Sequence, residues 1–177
     1  MNLVLLVSSL LSGSATSTTP SADSAPKPVD FVCDSMEVQD KPRSLQCSGN
    51  VVLRQDNLIL CCDRFTGFMD QNSRWTQFHC QDKVRASRNG ELMWSREARF
   101  IIKESRLTLT GKPILQRGND ILQGQKIVVR TDQDRVNIVK PEGRIRPRNE
   151  VVTRQNPQWA TSGKLPHRCP LPTKPKL

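Results

Sequence analysis

Six cysteines and two histidines are the residues of this 177-residue chain that could carry redox, metal or nucleophilic chemistry. His79 stands next to Cys80, and a thiol beside an imidazole is the composition of a cysteine nucleophile. Neighbouring residues on a strand point to opposite faces, so this pair cannot meet if the segment is extended. His167 and Cys169 are two residues apart, but two ligands do not make a metal site. We therefore predict no catalytic residues, no metal and no cofactor.

The spacing of the cysteines narrows the class of protein further. No pair has the C-x-x-C spacing, which disfavours a zinc ribbon and thioredoxin-type redox chemistry. The chain also contains neither a phosphate-binding loop nor a dinucleotide-binding fingerprint. The sequence thus predicts a binding or structural protein and not an enzyme.

Short strands are the elements predicted to position these side chains. Apolar and polar residues alternate over 45–53, 106–110 and 135–138, and Gly, Asn and Asp interrupt the alternating runs. A period of two with Val, Ile and Thr is typical of half-buried strands. No segment sustains the spacing of an amphipathic helix, so the predicted fold class is all-β.

The strands also repeat. Residues 45–70 align without gaps onto 107–132, and seven of the 26 aligned pairs are identical, where roughly two are expected from average composition. A shorter unit, with a small residue, alternating apolar positions and an acidic end, recurs near residues 33, 62, 98 and 124. One such unit cannot bury its apolar face alone. Stacked units predict an antiparallel groove or jelly roll with a continuous interior and two exposed edges.

The repeat also suggests a hypothesis for the cysteines. Cys33 and Cys62 hold equivalent places in successive units, and Cys47 and Cys80 each stand two residues before a turn signal. In an exported protein such places could be bridged if they lie on neighbouring strands. The hypothesis is a pair of disulfides, Cys33–Cys62 and Cys47–Cys80. The alternative is that these cysteines are small core hydrophobes.

The net charge of +10 indicates a polyanionic partner. Residues 29–147 carry +5, as 20 basic against 15 acidic groups, and the last 30 residues carry the other +5. Nucleic acid and anionic lipid both fit this charge. With five Phe, three Trp and no Tyr, aromatic platforms for stacking bases are scarce, which counts against nucleic acid but leaves the kind of polyanion open.

Both ends of the chain differ from its middle. Residues 1–28 are interpreted as a signal-peptide-like segment and linker, with an apolar run over 3–11 but no Lys or Arg before it. A flexible tail or a misplaced start is the alternative. Residues 148–177 are predicted to form a basic, Pro-rich disordered tail, which leaves 29–147 as the folded domain. No run of 18 apolar residues is present, so no transmembrane helix is predicted.

The ordered motifs over 31–40, 44–55, 60–63 and 107–129 resemble those of the OstA-like (LptA) family. The resemblance covers nearly all of 29–147. It implies an open, twisted β-jelly roll that holds lipopolysaccharide acyl chains in its interior. It also implies a periplasmic location and assembly edge to edge into a bridge between inner and outer membrane. Cys33 and Cys62 depart from the pattern, since the family usually has Ala or Ser there.

The partners implied are lipopolysaccharide, the inner-membrane and outer-membrane components of its transport machinery, and further copies of the chain, but not nucleic acid. The candidate lipid-binding interior residues are Val51, Leu53, Leu60, Leu107, Leu109, Leu115, Ile127, Val129 and Ile138. The same residues could instead fill a sealed core. The candidates for contact with the anionic headgroup are Arg54, Lys112, Arg117 and Lys126.

Three alternative functions stay open at this point. The chain could be an LptC-like or translocon-accessory component of the same transport system. It could be a basic β-barrel that binds nucleic acid through phosphates. It could also be a structural protein whose edge pairing is its function and whose groove is empty.

Overall fold

A computed structural model describes residues 28–145 and 165–175. Within these ranges there are twelve strands and no helix, which confirms the predicted all-β class. The strands are β1 (Asp30–Val32), β2 (Ser35–Asp40), β3 (Arg43–Gln55), β4 (Leu58–Met69), β5 (Trp75–Arg88), β6 (Glu91–Ile101), β7 (Arg106–Thr110), β8 (Ile114–Arg117), β9 (Asp120–Gln123), β10 (Lys126–Arg130), β11 (Arg135–Val139) and β12 (Glu142–Arg144).

One antiparallel sheet folds over on itself and forms two layers. The long strands β3 to β6 pass through both layers. β3 pairs with β2 along one half and with β1 along the other, and β6 likewise changes its neighbour, whereas β4 and β5 keep the same neighbours and only shift register in the middle. Over 97–101 β6 pairs with β7, and over 91–94 it pairs with β8. The first layer runs from β2 through one half of β3 to β6 and on to β7, β10 and β11. The second layer runs from β1 through the other halves to β8, β9 and β12.

Breaks in strand register mark the line where the sheet bends. They lie between Ser48 and Val51 on β3 and between Gln81 and Val84 on β5. The residues at the β3 bend have left-handed backbone, with φ of 75° at Gly49 and 45° at Asn50. An extra residue in one strand of a pair bends it in this way. The Gly49-Asn50 step is therefore a bend within a long strand.

The hydrophobic core lies between the two layers. Alternation puts the inner residues of the first layer, such as Phe65 and Leu109, against inner residues of the second, such as Leu60 and Met93. All of these are buried. The predicted open jelly roll with one continuous interior is thus the observed architecture.

The C-terminal segment over 165–175 differs from the predicted disordered tail. It packs on the outer face of the second layer, where Leu171 is buried against Val52 and Ile59. Arg85 Nη1 donates a hydrogen bond to the Leu171 carbonyl at 2.9 Å, and Trp94 Nε1 donates one to the Pro172 carbonyl at 3.0 Å. The short apolar stretch in this Pro-rich sequence covers an apolar strip of the sheet. The rest of the predicted tail and the signal-peptide-like segment lie outside the described residues.

The disulfide pattern also differs from the hypothesis. Cys61 is bonded to Cys169, and Cys33, Cys47, Cys62 and Cys80 are free, so both predicted bridges are wrong. Equivalent places in successive units lie on alternate strands of the sheet, not on adjacent ones. Cys47 on β3 and Cys80 on β5, for example, both lie opposite the same β4 residue. The alternative that the free cysteines fill the core fits three of the four, which are buried.

Candidate interlayer lipid site

The interlayer groove is the space between the inner faces of the two layers, and the candidate interior residues lie in it. Eight of the nine are buried in the core cluster, and the ninth, Ile138, is half-buried and packs against it. Antiparallel pairing brings several of them side by side across neighbouring strands. Leu109 lies opposite Ile127, and Leu107 lies opposite Val129. Their contact with lipid stays a prediction.

The apolar interior continues to both ends of the sheet, where it is only half-covered. At the β1 and β2 end, Val29 and Cys33 pack against the core and are half-buried. At the other end, Leu122, Val136 and Ile138 do the same. Partly exposed apolar residues are common at the margin of a core. Here they lie at both ends of one continuous apolar cluster, so in the described residues the interior has two partly exposed apolar openings.

The groove itself is closely packed. A cavity of about 20 Å³ lies between Leu53 and Leu60 of the second layer and Phe78 and Phe100 of the first. The centroids of the two phenylalanine rings are 6.4 Å apart. A space of this size holds about one water molecule. This space is too small to hold an acyl chain.

A polar clasp joins the layers at their hairpin turns. Arg88, at the end of β5 in the second layer, donates hydrogen bonds to the Thr131 carbonyl at 2.8 Å and to Asp134 Oδ1 at 2.6 Å. Asn89 donates to the same Asp134 oxygen at 2.8 Å. The Arg88 side chain is 5% exposed, so this is a nearly buried cation with an exposed acidic partner. The sequence analysis did not predict this contact, because no feature of the sequence distinguishes a buried arginine from the other 26 basic residues.

The four headgroup candidates do not converge on one place. Arg54 forms an ion pair with Asp30 at 2.8 Å on the outer side of the second layer. Arg117 Nε donates to Glu91 at 2.6 Å near the β8–β9 turn. Lys112 lies on a bend with φ of 58°, and Lys126 lies on the outer face of the first layer. Their contact with a headgroup stays a prediction.

Burial makes the core thiols poor nucleophiles. Burial, together with the neighbouring Cys33 thiol, raises the pKa of Cys47 to about 12. Burial and a hydrogen bond with Cys62 also raise the pKa of Cys80 well above its ordinary value. Because the thiolate is the reactive form, these cysteines are protonated at neutral pH.

His79 and Cys80 lie on opposite faces of β5, as the strand geometry predicts. Cys80 is fully buried in the groove, whereas the His79 ring faces outward with Nε2 4.0 Å from a Glu97 oxygen. Partial burial lowers the pKa of His79, Arg99 lowers it further, and Glu97 opposes that shift. Among residues 28–145 and 165–175, no group of three or more His, Cys, Asp or Glu side chains is placed to hold a metal ion.

Both edges of the sheet expose large apolar side chains. Phe31, Met36 and Val38 on β1 and β2 are 40%, 55% and 60% exposed. At the far edge, Val139 and Ile145 are 37% and 74% exposed. In the part of the chain that the structure describes, no further strand pairs with the outer side of β2 or β11. Unpaired edges of this kind are templates for pairing with another chain.

Comparison with known proteins identifies the family. The family model described as "LptA/(LptD N-terminal domain) LPS transport protein" matches residues 32–135. Among solved structures, the fold is similar to that of LptH of Pseudomonas aeruginosa, the LptA homologous periplasmic component of a lipopolysaccharide transport device, with a TM-score of 0.62 and 18% identity. The match covers 68% of this chain and 96% of LptH. No curated protein sequence matches the chain.

No helix in the described ranges has the length and apolar character needed to cross a membrane. The family match spans more than half of the chain and covers the strands that form the interlayer groove, from the end of β1 to the start of β11. The chain therefore belongs to the LptA and LptD N-terminal domain family of lipopolysaccharide transport proteins.

Proposed function

We propose that this protein carries lipopolysaccharide across the periplasm, as a bridge or a shuttle between the inner and outer membranes, with the acyl chains held in the interlayer groove. The observation that carries the proposal is the half-covered interior at both ends of the sheet. Val29 at one end and Ile138 at the other belong to one apolar core, yet both reach the surface. A conduit needs such openings, whereas a sealed domain does not.

The transfer requires no catalytic group. Moving an acyl chain between two similar grooves exchanges one apolar environment for another, so the step is a binding equilibrium. The cost of opening lies in separating the layers, and the Arg88 clasp is the polar contact that such a movement would break. The phosphates and carboxylates of the headgroup could then form charge-assisted hydrogen bonds with the candidate side chains Arg54, Lys112, Arg117 and Lys126.

The disulfide supports the proposed compartment. Cys61 and Cys169 are bonded in a protein whose other described cysteines are free. Disulfides persist in the bacterial periplasm and are rare in the reducing cytosol. The exposed edges support the bridging form of the proposal, because β2 of one copy could pair with β11 of the next and join the two interiors.

The first prediction tests the groove at its opening. Ile138→Glu places a charge on the inner side of β11, where the half-exposed position tolerates it in the empty protein. An ion that must be desolvated against an acyl chain is costly. We expect this variant to weaken lipopolysaccharide binding by about tenfold or more, measured by equilibrium binding of fluorescently labelled lipopolysaccharide to the full chain.

Val139→Glu is the matched control, since it adds the same charge one residue further along, on the outer side of the strand. It should bind within about twofold of the unmodified protein. Circular dichroism checks that both variants keep the sheet. Equal affinity of Ile138→Glu and unmodified protein would contradict acyl-chain binding in the groove. Binding of single-stranded DNA at about 200 mM salt, with no binding of lipopolysaccharide, would contradict the carrier function itself.

A further inference from the structure

The outer face of the first layer contains a cavity that the interlayer groove does not use. Its volume is about 440 Å³, within the range of roughly 300–1,000 Å³ typical of small-molecule sites. It crosses β5, β6, β7 and β10. The side chains that matter for its chemistry are His79, Glu97, Arg99, Arg106, Thr108 and Lys126.

Strand register brings these side chains together. Directly opposed residues on antiparallel strands point to the same face. His79 lies opposite Arg99, and Arg99 lies opposite Thr108, so these three form one row across β5, β6 and β7. Glu97, Thr110 and Lys126 form the next row in the same way. The alternate residues of these strands face inward and belong to the core. The outward-facing residues are therefore available to contact a ligand.

The cavity is rich in positive charge. Arg99, Arg106 and Lys126 line it against one lining carboxylate, Glu97. Within the described residues neither Arg99 nor Lys126 has a carboxylate within ion-pair distance. Arg106 is held by Glu104 at 2.8 Å through Nη2. Its Nε is buried without a hydrogen-bond partner in the described ranges, and a buried unpaired donor is costly.

A second row adds to this charge. Arg106 lies directly opposite Arg130 on β10, and Arg130 lies directly opposite Arg135 on β11. Like charges directly opposite each other destabilise a sheet. Asp132 offsets part of this at 3.4 Å from Arg130. An anion bound between the strands would offset more of it.

We propose that this outer cavity binds a phosphate group carried on a sugar. Planar guanidinium groups suit the oxygens of a phosphate, and the lysine adds a point charge. The hydroxyls of Thr108 and Thr110 can donate to the same oxygens or to sugar hydroxyls, while Ile101 and Val128 offer a small apolar surface to a sugar ring. The phosphorylated sugar could come from the headgroup of lipopolysaccharide or from a soluble sugar phosphate. The site lies on the opposite face of the sheet from the groove, so it does not depend on acyl-chain binding.

The second prediction tests this site with ligands that have no acyl chains. Glucosamine 1-phosphate, inorganic phosphate and the phosphorylated, fully deacylated oligosaccharide of lipopolysaccharide are each titrated into the full chain. The readout is the NMR titration of the His79 imidazole. Arg99 and Glu97 on β6 are the charged groups that face it, and Thr66 on β4 is its uncharged neighbour. Arg99 lowers the pKa of His79, so a bound anion is expected to raise it, in a saturable manner.

Arg99→Gln/Lys126→Gln should weaken sugar-phosphate binding by about tenfold or more. Arg64→Gln/Lys83→Gln is the matched control, because it removes the same two charge types from exposed ion pairs on the bends. It should leave binding within about twofold. Binding of the oligosaccharide alone assigns the site to the lipid headgroup, and equal binding of glucosamine 1-phosphate assigns it to soluble sugar phosphates.

Either assignment supports the proposal. Absence of saturable binding by every phosphate ligand would overturn it, and so would equal weakening in the two double variants. Ile138→Glu should bind these acyl-free ligands normally, so failure of the groove and failure of the outer cavity can be distinguished.

Discussion

At the scale of single residues, burial decides what the thiols can do. Cys47, Cys62 and Cys80 are buried in the groove, whereas Cys33 is half-exposed at its end. The raised pKa of Cys47, about 12, keeps that thiol protonated. The four free thiols therefore differ mainly in how far they are exposed to solvent and reagents.

The third prediction is a thiol count in two states. In the native, unreduced protein we expect Cys33 to react with a maleimide within minutes, while the three buried thiols stay unmodified. In denaturant without reductant, four thiols should react, because Cys61 and Cys169 are bonded. Mass spectrometry gives both counts. Six reactive thiols in denaturant would show that the disulfide is absent.

Another single residue fixes where the sheet bends. Gly49 has a left-handed φ of 75°, and a Cβ there would collide with the Asp34 side chain. Asn50 Nδ2 donates to the same Asp34 carboxylate at 2.8 Å. Asp34, which follows Cys33 at the start of the first repeat unit, thus contacts the bend formed by Gly49 and Asn50. The sequence repeat contained both halves of this contact, but a linear pattern does not say that they touch.

At the scale of elements, the sequence segment that recurs 62 positions later forms a bent hairpin in both of its copies. Residues 45–70 form β3 and β4, and the aligned residues 107–132 form β7 to β10. Gly49 lies within β3, whereas the equivalent Gly111 separates β7 from β8. Each strand of the second copy is therefore split at the bend, and its halves belong to different layers.

Alternation predicted which residues face inward, and the repeat predicted an antiparallel groove or jelly roll with a continuous interior. Its open, twisted form was predicted from the family resemblance. Alternation and the repeat could not predict the C-terminal segment. Its contact depends on a strip of outward-facing apolar residues, Val52, Ile59 and Cys61, in strands that are apolar on both faces. Alternation shows which residues face inward. Where both faces of a strand are apolar, the pattern does not show what covers the outward face. The disulfide hypothesis was wrong for the same reason. It used Cys62, which faces the groove, and not Cys61, which faces the C-terminal segment.

The fourth prediction concerns this segment. The Cys61–Cys169 bond closes a loop with a sequence separation of 108 residues. Loss of a native disulfide typically lowers the free energy of unfolding by about 2–5 kcal/mol, with long loops at the upper end. Cys61→Ser/Cys169→Ser should therefore lower it by that amount in urea unfolding. Cys33→Ser, which removes a free thiol, is the control and should change it by less than about 1 kcal/mol. A double variant as stable as the control would contradict a stabilising role.

At the scale of the whole molecule, charge and apolar surface are distributed in different places. The groove is apolar along its length, the outer face of the first layer is basic, and the edges expose apolar side chains. The sequence predicted a basic β-protein for a polyanion, and its +5 domain is compatible with that. It could not place the charge, because Arg99 and Arg106 meet only through the register of two neighbouring strands.

The fifth prediction concerns association through the edges. Val38→Lys puts a charge on the exposed edge strand β2, a common way for proteins to prevent edge pairing. We expect it to weaken self-association by about tenfold or more, measured by sedimentation velocity over a concentration series. Gln71→Lys adds the same charge in the β4–β5 turn, away from either edge, and should behave as the unmodified protein does. A chain that stays monomeric at every concentration would contradict edge-to-edge assembly.

The disulfide also has a mechanical consequence. The covalent ring that it closes contains every strand from β5 to β12, whereas β1 to β3 lie outside it. A pulling force applied between the N-terminus and a point beyond Cys169 is therefore carried across the disulfide. It stretches β1 to β3 and the start of β4, and the strands within the ring carry none of it.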